Sequence, residues 1–300
     1  MSTTRTPLLD RMAAAPISWG VCEVPGWGLQ LPVDRVLGEM RDLGLRRTEL
    51  GAAGWLPDSA APINAKLAEF GLGAVAAFVP LALHDAARLD ANLAAAVRSA
   101  ELLQAVGAEC FVTCLVSDPD DWFRPELTAA EWSRLCAAVD EVDAIAADHG
   151  LVQVVHPHVD SLVEQASEVA TIVERTVAKV CLDTGHLVIG GTDPLAFARD
   201  HSDRVGLVHL KDVRLSVAAR LRAGELTLME AVQAGMFTRL GAGDVDLAGV
   251  VERLEAAGYA GWYVFEQDAA LTEGAPPVGE GPIDDVRASV QFLRNLASRN

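Results

Sequence analysis

The sequence predicts an α/β fold, a (β/α)8 barrel that forms a single domain. Short β-branched or apolar runs alternate along the chain with longer Ala-, Leu- and Glu-rich runs of helical spacing. Such alternation indicates βα units and a parallel sheet. Eight strand candidates can be counted, and 300 residues suit one barrel domain. We therefore expect a single domain over residues 1–300, with its core at about 16–297.

The eight strand candidates are Pro16–Gly20, Arg47–Gly51, Gly73–Leu81, Cys110–Val116, Leu151–His158, Val180–Asp183, Val205–Lys211 and Trp262–Gln267. The helix candidates are Val33–Leu43, Ile63–Phe70, Asp90–Val106, Ala129–His149, Ser161–Arg175, Pro194–His201, Asp246–Ala257 and Ile283–Ala297. The first four helices are each followed by a glycine, which supplies the left-handed conformation that ends a helix. A doubly wound open sheet is the alternative fold. The segment after the first strand has no GxGxxG phosphate loop, so the barrel is favoured.

Two connections are long for a barrel. Residues 213–240 follow the seventh strand and include a helical stretch at Leu226–Ala234, and residues 271–282 are rich in Gly, Pro and Glu. Long loops at one end of a barrel commonly cover the substrate. We expect both connections to lie near the active site.

Composition excludes several classes of partner. The net charge is −18, which opposes binding to nucleic acid or to an anionic membrane. Apolar runs are no longer than a strand, far from the roughly 20 residues of a membrane span. The five cysteines include no CxxC pair and are expected to be buried thiols. We expect a cytoplasmic protein. A homo-oligomer is possible, but the sequence does not decide the oligomeric state.

Ionisable residues gather where the predicted strands end. Parallel barrel strands all end at one face, where barrel enzymes carry their active sites. Burying a polar or charged group at a strand end costs free energy unless the group has a partner. The simplest shared partner for Asp183, His209 and Glu266 is a divalent cation. Each group also has a structural explanation, such as an Asp cap at 183–186 or pairing of Glu49 with Arg46 or Arg47. The strand-end segments are Glu49, His156-Pro157-His158, Asp183-Thr184-Gly185-His186, His209-Leu210-Lys211-Asp212 and Glu266-Gln267-Asp268.

These segments give the chain a family resemblance. It resembles the xylose-isomerase-like TIM barrels, the sugar phosphate isomerase/epimerase group, and within them the branch of the inosose dehydratases (2-keto-myo-inositol dehydratases). The resemblance extends from about Pro16 to Leu296. The residues that carry it are Ile17-Ser18-Trp19-Gly20-Val21-Cys22-Glu23-Val24-Pro25-Gly26-Trp27-Gly28, Thr48-Glu49-Leu50-Gly51, His156-Pro157-His158, Leu182-Asp183-Thr184-Gly185-His186 and His209-Leu210-Lys211-Asp212-Val213.

The resemblance implies a divalent metal at the barrel mouth. Members of the group hold it with a Glu, an Asp, a His and a Glu from strands five to eight, and the last three match Asp183, His209 and Glu266. Strand five offers His156, which we predict as the fourth ligand, with His158 as the alternative. Carboxylate and imidazole ligands suit Mn²⁺ or Co²⁺, and also Mg²⁺ or Zn²⁺. A second departure is Ala242 between two glycines, where a Glu or similar polar residue is expected.

The implied function is a metal-dependent lyase that dehydrates a keto-inositol such as scyllo-inosose, a small polyhydroxylated carbonyl compound, through an enediolate. Lys211, His186 and Glu49 are the predicted catalytic residues, with acid and base unassigned. Trp19, His158 and Arg214 are the predicted substrate contacts. The alternatives are a sugar or keto-polyol isomerase or epimerase on the same scaffold, and a sugar-binding barrel without catalysis. The His in place of the strand-five Glu favours the dehydratase over the isomerase.

Overall fold

The computed structural model describes residues 6–22, 24–119 and 122–298, and Glu23 of the first-strand motif lies outside them. Eight parallel strands form a closed barrel in the order β1-β10-β7-β6-β5-β4-β3-β2, which confirms the predicted fold. Two further strands, β8 and β9, pair as a separate antiparallel hairpin. The strands are β1 (Met12–Ala14), β2 (Arg47–Glu49), β3 (Gly73–Leu81), β4 (Cys110–Leu115), β5 (Val152–Val155), β6 (Lys179–Asp183), β7 (Val205–Leu210), β8 (Asp212–Val213), β9 (Phe237–Thr238) and β10 (Tyr263–Phe265).

Helices surround the barrel and cover part of its mouth. Among the described residues, no helix is both long enough and apolar enough to cross a bilayer. The helices are α1 (Val33–Asp42), α2 (Ala60–Glu69), α3 (Leu89–Val106), α4 (Ala129–Asp148), α5 (Ala166–Arg175), α6 (Thr184–Ile189), α7 (Pro194–Asp200), α8 (Leu215–Arg222), α9 (Leu228–Gln233), α10 (Leu247–Ala256) and α11 (Pro282–Ala297).

The position predicted for the first strand is wrong. The strand is Met12–Ala14, which pairs with β10 on one side and β2 on the other. The expected segment instead forms a 3-10 turn over Pro16–Trp19, closed by Gly20 at φ 80°. Proline cannot donate to a strand ladder but fits the first position of a helical turn. The three strand residues include two alanines, so they lack the β-branched signature by which strands are recognised.

The remaining differences concern the mouth of the barrel. The strands β5, β7 and β10 end earlier than predicted, so His156, His158, Lys211 and Glu266 lie at the start of the loops, whereas His209 lies within β7. The helix α6 follows β6 directly, where only a turn had been expected. The connection 213–240 contains the hairpin β8–β9 and the unexpected helix α8 in addition to α9, which had been anticipated at Leu226–Ala234.

Three apolar clusters organise the molecule. An inner cluster fills the barrel with side chains such as Val112, Val154 and Leu207, and a larger outer cluster packs the strands against the helices. A third cluster joins α8, α9 and the hairpin to the residues that follow β1 and β5. It includes Phe237 of the hairpin, Trp27 after β1 and Val159 after β5. Because this third cluster lies at the mouth, the connection 213–240 covers one side of the mouth. We call this connection the roof.

Candidate metal and active site

Four buried side chains meet at the C-terminal mouth of the barrel. Each of His156, Asp183, His209 and Glu266 offers one potential ligand atom, and these atoms all lie within 4.8 Å of one another. His156 Nε2 lies 3.3 Å from Asp183 Oδ2, which lies 3.6 Å from His209 Nδ1. His209 Nδ1 lies 2.7 Å from Glu266 Oε2. We call these four residues the ligand cluster, and they are the four residues predicted from the sequence.

The two oxygens of Asp183 have different partners. Oδ1 accepts hydrogen bonds of 2.8 Å from the backbone N–H groups of Gly185 and His186, so the side chain caps α6. Oδ2 faces the ligand cluster. The cap that had been the structural alternative is therefore present, and it orients the carboxylate so that its second oxygen remains directed at the cluster.

Glu49 orients the imidazole of His209. Its Oε1 lies 2.9 Å from His209 Nε2, so it pairs with this ring and not with the neighbouring arginines considered from the sequence. The Nδ1 atom on the other side of the ring is left facing Asp183 and Glu266. A carboxylate on one ring nitrogen and an ion on the other is the usual arrangement of a metal-bound histidine.

The chemistry of the ligand cluster fits a divalent cation. Two imidazoles and two carboxylates form a mixed nitrogen and oxygen donor set, which suits Mn²⁺, Co²⁺, Mg²⁺ or Zn²⁺. His209 Nδ1 is buried and faces two carboxylate oxygens, Glu266 Oε2 at 2.7 Å and Asp183 Oδ2 at 3.6 Å. Burial opposes ionisation of Asp183 and Glu266, but the Lys211 ammonium and the His209 ring outweigh it and lower the pKa of both carboxyls, which stay charged.

Lys211 is a fully buried cation beside the ligand cluster. Its Nζ donates to Glu266 Oε1 at 2.7 Å and to Asp268 Oδ1 at 2.9 Å, and it lies 3.4 Å from Asp183 Oδ2. Burial alone would lower the pKa of Lys211, but these carboxylates outweigh it and raise the pKa well above its usual value. The ring of Phe237 in the roof lies 4.8 Å from Nζ and covers it. The amine is therefore held as an ammonium.

His186 pairs with Lys211 and stacks on His158. Its Nε2 lies 3.1 Å from Lys211 Nζ, and the two imidazole rings have centroids 3.8 Å apart. The backbone N of Val159 lies 3.3 Å from His186 Nδ1, on the other side of the ring. Burial lowers the pKa of His186 well below normal and lowers that of His158 to about 3. Both rings are therefore neutral near pH 7.

Two predicted substrate contacts have other partners in the structure. Trp19 is fully buried in the outer core, where its indole N–H donates to Glu39 of α1 at 2.8 Å, so it packs the barrel against a helix and does not form a pocket wall. Arg214 is exposed, and its guanidinium bonds the backbone oxygen of Gly235 within the roof connection. Both expectations came from proximity in the sequence to strand ends, which does not determine side-chain direction.

The glycine-rich segment after the roof has a structural explanation. The carboxylate of Asp212 accepts hydrogen bonds from the backbone N–H groups of Gly241 and Gly243 at 2.8 and 3.0 Å. A Cβ on Gly243 would lie 2.3 Å from Asp212 Oδ1, which explains that glycine. Ala242, where a polar residue had been expected, is exposed to solvent.

Sequence reasoning assigned no role to several residues at the mouth. Asp268 shares a strand face with Glu266, and this spacing was the available signal. Phe237 arrives from the roof, and no local pattern indicates its approach to Lys211. Phe78 and Trp122 are partly exposed and stack with ring centroids 6.0 Å apart, beside His158. They border the site as an aromatic edge.

Comparison with known families agrees with this geometry. The family model described as the xylose isomerase-like TIM barrel matches residues 25–296. The chain belongs to this family. The match confirms the resemblance inferred from the strand-end segments.

Two relatives share about a third of their residues with the chain. An inosose dehydratase of Geobacillus kaustophilus is 32% identical, with 87% of this chain and 89% of the relative covered. The rhizopine catabolism protein MocC of Rhizobium meliloti is also 32% identical, with 89% and 84% covered. Both matches extend over nearly the whole barrel.

Solved structures share the fold at lower identity. An L-ribulose 3-epimerase superposes with a TM-score of 0.70 at 18% identity and covers 96% of this chain and 95% of its own. The probable 3-DHS dehydratase AsbF from Bacillus anthracis gives a TM-score of 0.69 at 12% identity, with 95% and 99% covered. The fold is thus shared by an epimerase and a probable dehydratase.

Proposed function

We propose that this protein is a metal-dependent lyase that dehydrates a keto-inositol of the scyllo-inosose type. The observation that carries the proposal is that the ligand cluster lies next to the pair Lys211–His186. The two are joined by Glu266, which belongs to the cluster and also binds Lys211. A lyase of this kind needs a site for the carbonyl next to groups that move protons. The relatives named as inosose dehydratases support this choice of substrate.

The residues His156, Asp183, His209 and Glu266 would hold the metal, with Mn²⁺ or Co²⁺ preferred and Mg²⁺ or Zn²⁺ as alternatives. A bound divalent ion would polarise the substrate carbonyl, acidify the neighbouring C–H and stabilise the enediolate. Glu49 orients His209 and acts on the substrate only through that ring. Its role is therefore one of positioning, a change from the catalytic role expected from the sequence.

Lys211 and His186 would act on the substrate itself. The ammonium of Lys211 is a hydrogen-bond donor next to the ligand cluster, so it can bind a substrate oxygen and protonate the departing hydroxyl. The imidazole of His186 is held by the Val159 N–H and lies within hydrogen-bond distance of Lys211. Because burial keeps His186 neutral, it can accept the proton from carbon, and it can return a proton to Lys211 after the lysine has given its own to the departing hydroxyl.

The aromatic edge and the roof would complete the pocket. His158 lies between Trp122 and His186, with ring centroids 5.1 and 3.8 Å away. Its Nδ1 donates to Val159 O at 2.6 Å, which leaves Nε2 to accept from substrate hydroxyls while its stacked neighbours face the C–H bonds of the ring. Such a mixed wall suits a small polyol. All five cysteines are buried thiols, which supports a cytoplasmic location.

The experiment is a turnover assay with scyllo-inosose. Protein loaded with Mn²⁺ or Co²⁺ is expected to give the ultraviolet absorbance of an enedione, whereas protein treated with a chelator is not. In deuterated water, exchange of the α-proton without loss of water would identify an isomerase or epimerase instead. Tight polyol binding without metal or turnover would identify a binding protein. Absence of turnover with every metal tested overturns the proposal.

An Asp183→Asn variant tests whether the ligand cluster binds the metal. Asparagine retains the oxygen that caps α6 but removes the charge that faces the ligand cluster. We expect the variant to fold, to purify with less than stoichiometric metal and to lose activity. Full metal content in this variant would contradict the assignment of Asp183 as a ligand.

A further inference from the structure

Asp268 is a carboxylate partner of Lys211 that does not belong to the ligand cluster. Asp268 Oδ1 accepts a hydrogen bond of 2.9 Å from Lys211 Nζ, and the side chain is 3% exposed. Asp268 is not among the residues whose atoms could hold the metal. A buried ammonium needs acceptors for its protons, since leaving it unpaired is strongly unfavourable.

The other carboxylates near Lys211 are shared with the ligand cluster. Glu266 directs Oε1 to Lys211 Nζ and Oε2 to His209 Nδ1, both at 2.7 Å. The Oδ2 atom of Asp183, 3.4 Å from Nζ, also faces the cluster. A cation in the cluster would compete with Lys211 for both groups. Asp268 is then the carboxylate whose bond to the ammonium does not depend on the metal.

The backbone fixes Asp268 in this position. The Glu266 N–H continues the strand ladder to Leu210 O, and the Gln267 N–H donates to Ser18 Oγ. The Gln267 side chain points the other way and donates to Asp285 of α11. Glu266 and Asp268 therefore face the same side, about 6.6 Å apart along the chain. Asp268 holds the ammonium from the side nearer the mouth, and Phe237 covers it from the roof.

We propose that Asp268 is a positioning residue that keeps the Lys211 ammonium directed at the substrate while the metal occupies Glu266 and Asp183. This inference rests on the proposed function for its effect on the reaction. It assigns Asp268 no contact with substrate or metal. Its whole effect on catalysis passes through Lys211.

The first test is a double-mutant cycle. Asp268→Asn is expected to lower kcat by about 100-fold, the size of a lost general-acid contribution, with KM and metal content little changed. In a Lys211→Met background the same substitution is expected to have little effect on the residual rate. Asp268→Glu, which keeps the charge, should recover part of kcat.

The control is Glu273→Gln, which removes an exposed carboxylate from the loop that follows Asp268. It should retain wild-type kcat. The inference is overturned if Asp268→Asn leaves kcat unchanged, if it removes the metal, or if it costs as much in the Lys211→Met background as in the wild type. Equal losses in the Asn and Glu variants would also overturn it, since charge would then not matter.

A second readout does not depend on any substrate. The chain has three lysines, Lys66, Lys179 and Lys211, so acylation of each amine can be followed by mass spectrometry. In metal-loaded protein, Asp268→Asn is expected to speed labelling of Lys211 several-fold while Lys66 and Lys179 label as before. Unchanged labelling of Lys211 overturns the inference. Because wild-type turnover is measured separately, failure of the proposed function is distinguished from failure of this one.

Discussion

At the level of single residues, His156 is the most unusual feature of the ligand cluster. It stands where the family resemblance leads us to expect a glutamate, and it adds a neutral donor in place of a charge. Burial lowers the pKa of His156, which keeps the ring unprotonated and able to bind a cation. The cluster therefore holds two negative charges, so a bound divalent ion would be neutralised within it.

Substitution of the two strand-five histidines tests this position. His156→Ala is expected to weaken metal binding by about 100-fold or more, since loss of an outer-shell partner alone costs 10- to 100-fold. His158→Ala, the matched control one step along the same segment, should bind metal as the wild type does. Competition with a chromophoric chelator measures both. The reverse order of affinities would make His158 the ligand.

The residues of the ligand cluster could be predicted from the sequence because barrel topology brings every strand end to one face. Asp183, His209 and Glu266 each follow an apolar strand, so their convergence required no knowledge of distant contacts. Trp19 was misplaced as a pocket residue because neighbourhood in the sequence does not determine on which side of a turn a side chain lies, and the substrate contact of Arg214 stays a prediction. The approach of Phe237 to Lys211 depends on the packing of the roof, which no local pattern encodes.

At the level of elements, the hairpin β8–β9 and the glycine segment after it are held by one side chain. Asp212 is fully buried, and its Oδ1 accepts from Val213 N at 2.9 Å and from Val245 N at 3.2 Å. Its Oδ2 binds the two glycine N–H groups described above. Four backbone donors from two segments thus depend on one carboxylate.

Asp212→Ala is expected to lower the free energy of unfolding by about 3 kcal/mol, because it leaves several partly buried N–H groups without an acceptor. Asp246→Ala is the matched control, since it removes only the cap of α10 and should cost about 1 kcal/mol. Urea denaturation followed by circular dichroism measures both. Equal losses of unfolding free energy in the two variants would show that water takes over the hydrogen bonds of Asp212.

Element boundaries were predictable where local signals were strong. The glycines that end the first four helices adopt left-handed φ values between 69° and 82°, as expected, and β3 matches its predicted bounds. The first strand was missed because Met12–Ala14 is short and alanine-rich, while the adjacent Pro16–Trp19 turn contains Ile and Trp. The six residues of α6 carry too little helical periodicity to be distinguished from a turn.

At the level of the whole molecule, folding and metal binding should be linked. The ligand cluster draws its residues from four strand ends, so it exists only in the folded barrel. Metal at a hundred times its Kd is therefore expected to stabilise the protein by about 2.7 kcal/mol. Thermal unfolding with and without Mn²⁺ measures this, and Asp183→Asn should abolish the shift. A shift of equal size in that variant would place the metal elsewhere.

The pairing of the first barrel strand with the last has a consequence for biosynthesis. Met12 lies beside Tyr263 and Ala14 beside Phe265, so the barrel closes only when β10 has been made. Contacts between distant parts of a chain form slowly and late. Glu266 and Asp268 emerge from the ribosome directly after β10. A nascent chain therefore carries an open sheet and an incomplete ligand cluster through most of its translation, and metal capture must follow closure of the barrel.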